Sequence, residues 1–134
     1  MLLEIDHHSG QPIYRQVIDQ IRQQIMAGQI KEGEQLVTVR DLAVQLRVNP
    51  MTISKAYALL EVEGLLERRR GIGLFAAQIR GGKKEMAKEK ILEEALRQAA
   101  VLAVQFEIPQ LKALDMLAEL YKQYNSKSRD NKNG

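Results

Sequence analysis

VNPMTISKAYALLEVEGLLERRRGIG, residues 48–73, contains a helix with one apolar side, three consecutive arginines and a glycine-bracketed turn. Asn49 is a favoured N-cap, and Pro50 suits the first helical position, where the N–H it lacks would be unpaired anyway. At 3.6 residues per turn, Ile53, Ala56, Tyr57 and Leu60 share one side of this helix. Met51, Thr52, Ser54, Lys55 and Ala58 lie on the other. Gly64 closes it. LLERRRGIGLFAA then predicts two short strands around RGIG, with Gly71 and Gly73 allowing the positive φ of a tight hairpin.

Working back from Val48, RVN is a three-residue turn behind a second, shorter helix, TVRDLAVQL. Thr38 can cap that helix, with Asp41 as a short capping-box partner, and Val39, Leu42, Ala43 and Leu46 form its apolar stripe. Arg40 points away from the stripe. Farther back, Ile13, Val17, Ile21 and Ile25 recur every four residues from Gln11 to Ala27, joined by Tyr14 and Ile18. This is an amphipathic helix with Pro12 in its first turn and Gly28 at its end. GQIKEGEQL is a connector turning at Gly33, and residues 1–10 are an extended arm.

Working forward, RGGKK marks a hinge-like boundary. Beyond it, Leu92, Ala95, Leu96, Ala99, Leu102, Ala103 and Phe106 predict a long helix from Glu85. Pro109 opens a fifth helix carrying Leu111, Leu114, Leu117, Leu120, Tyr121 and Tyr124. NSKSRDNKNG, the last ten residues, is polar and predicted mobile. The chain therefore reads as mainly α with a small β-hairpin. Residues 1–80 form a winged helix-turn-helix with its arm at 1–10, 81–125 a two-helix segment, and 126–134 a flexible tail.

Composition narrows the chemistry. An apolar share of 45% in 134 residues supports a real core, in one compact domain plus an appendage. Without cysteine there is no disulfide, thiolate zinc site or cysteine nucleophile. No apolar run approaches a membrane span, and the first residues lack a secretory layout, so a cytoplasmic protein is expected. The net charge of +3, from 20 basic and 17 acidic side chains, barely hints at an anionic partner. Position has to carry that case.

In a winged helix-turn-helix the third helix enters the major groove of DNA and its first residues meet base edges. A small, polar outer face suits that role. Thr52, Ser54 and Ala58 allow close approach, and Lys55 can take a phosphate or a guanine. Along a strand Arg68 and Arg70 face one side and Arg69 the other, so two of the three serve one surface. Arg70, at the turn, is best placed for a minor groove or flanking phosphates, and Arg40 can hold the backbone across the groove. Each piece also has a plain explanation. Arginine triplets are often solvated, Asn-Pro is explained by capping, two glycines by any turn, and Arg40 by pairing with Asp41.

The run from Pro12 to Phe75 resembles the DNA-binding domain of GntR-family bacterial transcription regulators. VNPMTISKAY followed by LEVEGLLERRRGIG is similar to the YtrA-like subfamily, whose short two-helix extension serves dimerisation. The resemblance implies a repressor on a palindromic operator, with DNA contacts at Arg40, Asn49, Thr52, Ser54, Lys55, Arg70 and Gly71. Five positions depart from the family pattern. Val37 replaces a proline, Arg47 the glycine of the turn, and Met51 a polar residue. Ile72 and Leu74 replace basic and hydroxyl residues of the wing. A left-handed conformation at Arg47 would cost about 1 kcal/mol.

Two amphipathic helices cannot easily bury both stripes against each other and a small domain. The expected cover is a second copy, through Leu92, Leu96, Ala99, Leu102, Phe106, Leu114, Leu117 and Tyr121. The plain alternative is that the fourth helix packs back on the first. Half-sites of such dimers lie about one helical turn, ~34 Å, apart.

No cofactor or metal is expected. His7, His8 and Asp6 could hold a metal only weakly, and no nucleophile–base pair or phosphate-cradling loop marks an enzyme. A small-molecule effector has no convergent polar cluster to mark it. The rival function is a helical adaptor whose winged domain binds protein instead of DNA.

Overall fold

Among the residues described by the computed structural model, 1–79 and 83–133, the elements run α1 (Ile13–Met26), α2 (Val39–Leu46), α3 (Pro50–Val62), β1 (Leu66–Arg69), β2 (Gly73–Ala76), α4 (Lys83–Gln105) and α5 (Gln110–Asn133). The hinge-like boundary expected at Arg80–Gly82 lies outside the described residues. The chain divides into two units, Met1–Lys88 and Glu89–Gly134.

The first unit is built on the apolar stripes. Val17, Ile18, Ile21 and Ile25 of α1 are buried with Ile53, Ala56, Tyr57 and Leu60 of α3, and α1 packs on α3. From α2, Leu42 and Ala43 are buried, while Val39 and Leu46 at its ends are half-buried. Each fully buried aliphatic side chain contributes about 1.5–3 kcal/mol. α3 therefore sits centrally, with α1 and α2 on its inner side and its outer side uncovered. Arg22 fixes the far end, donating to Glu63 at 2.6 and 3.2 Å and to Asp19 at 3.2 Å.

The hairpin pairs antiparallel, with Leu66 opposite Ala76 and Arg69 opposite Gly73. Residues 33–36, expected as a plain connector, add to its free edge. Gly33 N–H donates to the Ala76 carbonyl, Ala76 N–H to Glu34, and Leu36 N–H to Leu74, all at 2.8 Å. This third partner helps bury Leu74, Phe75 and Ala76 in succession, where strict alternation would expose every second residue.

The N-terminal arm is held by side-chain amides. Gln16, Gln20 and Gln24 stand one above another on α1, about 6 Å apart. Alternate residues of an extended chain repeat at a similar ~6.6 Å. Gln20 Oε1 accepts from Glu4 N–H at 2.9 Å, and its Nε2 donates to the Glu4 carbonyl at 2.6 Å. Gln16 does the same for Asp6 at 2.9 and 3.0 Å, and Gln24 donates to the Leu2 carbonyl at 2.6 Å.

In the second unit α4 ends in a left-handed residue, Glu107 (φ 55), where Ile108 N–H donates to the Ala103 carbonyl. Pro109 prevents continuation, and α5 starts at once. α5 runs on to Asn133, past the expected end at residue 125, because no proline or glycine interrupts the polar stretch. α4 has no buried residue, and all eight apolar positions expected to cover a partner are exposed, from Leu96 at 39% to Tyr121 at 70%.

Candidate nucleic-acid interface

The site is assembled around the start of α3. Asn49 Oδ1 accepts from Met51 N–H at 2.8 Å, so the cap is made by the carbonyl end of the amide. Its Nδ2 group has no partner among the described residues and can donate outward. Thr38 caps α2 in the same way, accepting from Asp41 N–H at 3.1 Å. The two caps finish two helix N-termini, each with partial positive charge, one at the start of the helix-turn-helix and one at its turn.

Beyond the cap, Met51, Ser54, Lys55 and Ala58 are exposed and Thr52 is half-buried. The wheel division holds: one flank of α3 is core, the other is open. Lys55 does not extend freely, since its Nζ lies 4.1 Å from the centre of the Tyr14 ring on α1. That cation–π contact steadies the charge at the rim of the open flank while leaving the side chain exposed.

Tyr57 locks the arrangement from behind. It is 2% exposed, and its Oη donates to the Val37 carbonyl at 2.7 Å, tying α3 to the residue just before the α2 cap. Burial pushes its phenol far above the ordinary range. Residue spacing placed Tyr57 in the core but gave no sign of this bond, because its acceptor is a backbone carbonyl.

The three arginines of the wing have three different surroundings. Arg68 donates to both oxygens of Glu61 on α3 at 3.3 Å. Arg69 lies over the Phe75 ring at 4.1 Å. Arg70, just before Gly71 (φ 79), has no partner among the described residues, and neither has Arg40. β1 ends at Arg69, so Arg70 belongs to the turn and not to a strand face shared with Arg68. Arg68 is already matched by an acid, so its charge is less available than that of Arg70. The pairing of Arg40 with Asp41 is not formed. At the tip Ile72 is 64% exposed and its carbonyl accepts from Gln35 Nε2 at 3.1 Å, which fixes the turn.

His7 and His8 are exposed, and Asp6 Oδ1 is engaged by His8 N–H at 2.9 Å. Among the described residues no group of three His, Cys, Asp or Glu is placed to hold a metal, and no helix is long and apolar enough to cross a membrane.

Comparison with known proteins bears on the same residues. Positions 13–75 match the family described as bacterial regulatory proteins, gntR family. The chain is 39% identical over 95 residues to the HTH-type transcriptional repressor YtrA of Bacillus subtilis (strain 168), covering 67% of this chain and 73% of that protein. Among solved structures it is similar to a GntR family transcriptional regulator from Listeria monocytogenes, with a TM-score of 0.73 at 28% identity over 86% of this chain and 98% of that one. It is also similar to AraR(DBD) in complex with operator ORX1, with a TM-score of 0.51 at 32% identity over 56% of this chain and 96% of that one.

Proposed function

This chain belongs to the GntR family of bacterial regulatory proteins, and from that premise we propose that it is a sequence-specific DNA-binding repressor acting as a homodimer on a palindromic operator. One observation carries the proposal: the outer flank of the N-terminal half of α3, Met51, Thr52, Ser54, Lys55 and Ala58, is open and bears Lys55 as its one charge, and cations without a partner among the described residues stand at Arg40 and Arg70. The flank enters the major groove. Thr52 and Ser54 offer hydroxyls to base edges, Met51 and Ala58 supply apolar contact, and Asn49 Nδ2 and Lys55 donate to phosphate or guanine. Arg40 grips the backbone on one side of the groove. Arg70, presented by the turn at Gly71, reaches the next groove or its phosphates. Arg68 contributes less, being shared with Glu61.

The second copy follows from the exposed stripes of α4 and α5. Leu92, Leu102, Phe106, Leu114 and Leu117 are each about half or more exposed in the single chain. Such a surface is unfavourable in water and is covered most simply by the same surface of a partner, which also sets two reading helices at a fixed spacing. Residues 81–125 are thus the dimerisation segment. A dimer seated on its operator represses by occupying DNA that the transcription machinery needs. A regulator of this kind works in the cytoplasm, on the nucleoid.

The test is selection of bound duplexes from a randomised pool, followed by titration of the enriched duplex over a salt series. Enrichment of an inverted repeat, with affinity falling steeply as salt rises, is expected. Thr52→Ala and Ser54→Ala then shift the preferred bases, whereas Arg40→Ala weakens all duplexes together. No enrichment and a flat salt response would instead favour the protein-binding adaptor.

A further inference from the structure

We infer that Arg47 is a further DNA-contacting residue, its guanidinium serving the phosphates beside the N-terminus of α3; this rests on the DNA-binding function proposed above. The first observation is the backbone. Arg47 adopts φ 57, ψ 49, the left-handed region that disfavours side chains with a Cβ. The turn itself needs only main-chain groups. Arg47 N–H bonds to the carbonyls of Ala43 and Val44, and Val48 N–H to that of Ala43 at 3.0 Å. Glycine would make the same bonds without strain. The arginine side chain is therefore held at a cost that the fold does not require, the mark of a position occupied for another reason.

The second observation is the state of the side chain. Several cations around the helix-turn-helix and wing are engaged: Arg22 by Asp19 and Glu63, Arg68 by Glu61, Arg69 by Phe75, Lys55 by Tyr14. Arg47 is exposed and, like Arg40 and Arg70, has no partner among the described residues. The third is its position. It stands two positions before the Asn49 cap, at most ~7 Å along the chain. A flexible guanidinium from there sweeps the space in front of the helix N-terminus, where phosphates flanking the groove lie. Its planar fork suits a phosphate better than any other side chain.

The experiment uses the full chain and the duplex enriched by wild type. Arg47→Gly is expected to melt higher, by ~4 °C, and yet to bind several-fold more weakly. Its log affinity–log salt slope should be shallower by about one for each copy bound. Arg47→Ala, which keeps the strain and loses the charge, should bind weakly without melting higher, and Arg47→Lys should recover most of the affinity. A merely structural residue would not move stability and affinity in opposite directions. If Arg47→Gly binds with wild-type affinity and slope while Arg40→Ala weakens binding, the inference fails and the DNA-binding reading stands. An Arg47→Gly that melts no higher removes the strain argument and overturns the inference too. Failure of wild type to enrich any duplex sinks both.

Discussion

Tyr57→Phe removes one oxygen atom from the back of the reading helix, and its effect can be worked from the geometry. The lost bond is short, 2.7 Å, from a side chain that is 2% exposed to the carbonyl of half-buried Val37. A net hydrogen bond contributes about 1 kcal/mol, and a carbonyl that water reaches only in part adds about as much when orphaned. The expected loss is about 1–2 kcal/mol, a fall in melting temperature of ~4–8 °C. The same substitution has a signature in pH. Burial lifts the phenol of the folded chain well above its ordinary 10.0. Below about pH 10 both states hold the proton and stability is insensitive to this group; above it the unfolded chain ionises first, and stability declines as pH rises. The phenylalanine variant lacks that decline. Thermal melts followed by circular dichroism, at neutral pH and in steps above about pH 10, measure both effects. Equal melting temperatures at neutral pH, or an identical alkaline slope in the two proteins, would refute the buried-bond account.

Ile53→Ala, at a fully buried site on the inner side of α3, should cost about 2–5 kcal/mol in a denaturant titration. Gly71→Ala meets open space around its new Cβ, so only the positive φ of 79 opposes it; a loss of about 1 kcal/mol is expected, measured in the same titration. In anisotropy titrations Arg70→Ala should lower the salt slope by about one for each copy bound, and Arg68→Ala should do less because Glu61 already holds that charge. Equal effects of the two arginines would contradict the division of labour on the wing.

The helix-turn-helix and hairpin were legible because each signal is local. Asn49-Pro50 caps, Ile53 and Tyr57 mark a face, and Gly71 and Gly73 admit a turn. What stayed hidden depends on partners distant in sequence or on main-chain atoms. Gln16, Gln20 and Gln24 look like any polar helix surface until the arm is laid beside them. Residues 33–36 lack β-branched runs and pair with β2 only because the hairpin offers an edge. Lys55 finds Tyr14 on a helix far back in the chain, and Arg68 meets Glu61 across a helix–strand corner. At the candidate interface, the outward positions of α3 were readable from periodicity, whereas the unequal status of the three wing arginines depends on Glu61 and Phe75, which come from other elements.

The amide track on α1 addresses only peptide groups, so it is blind to what the arm's side chains are. Leu2, Glu4 and Asp6 can drift to most other residues without loosening the clasp. One amino acid is barred: proline at residue 4 or 6 would delete the very N–H that Gln20 or Gln16 accepts. The start of this chain is thus tethered by a device that tolerates almost any spelling and vetoes a single letter at two places.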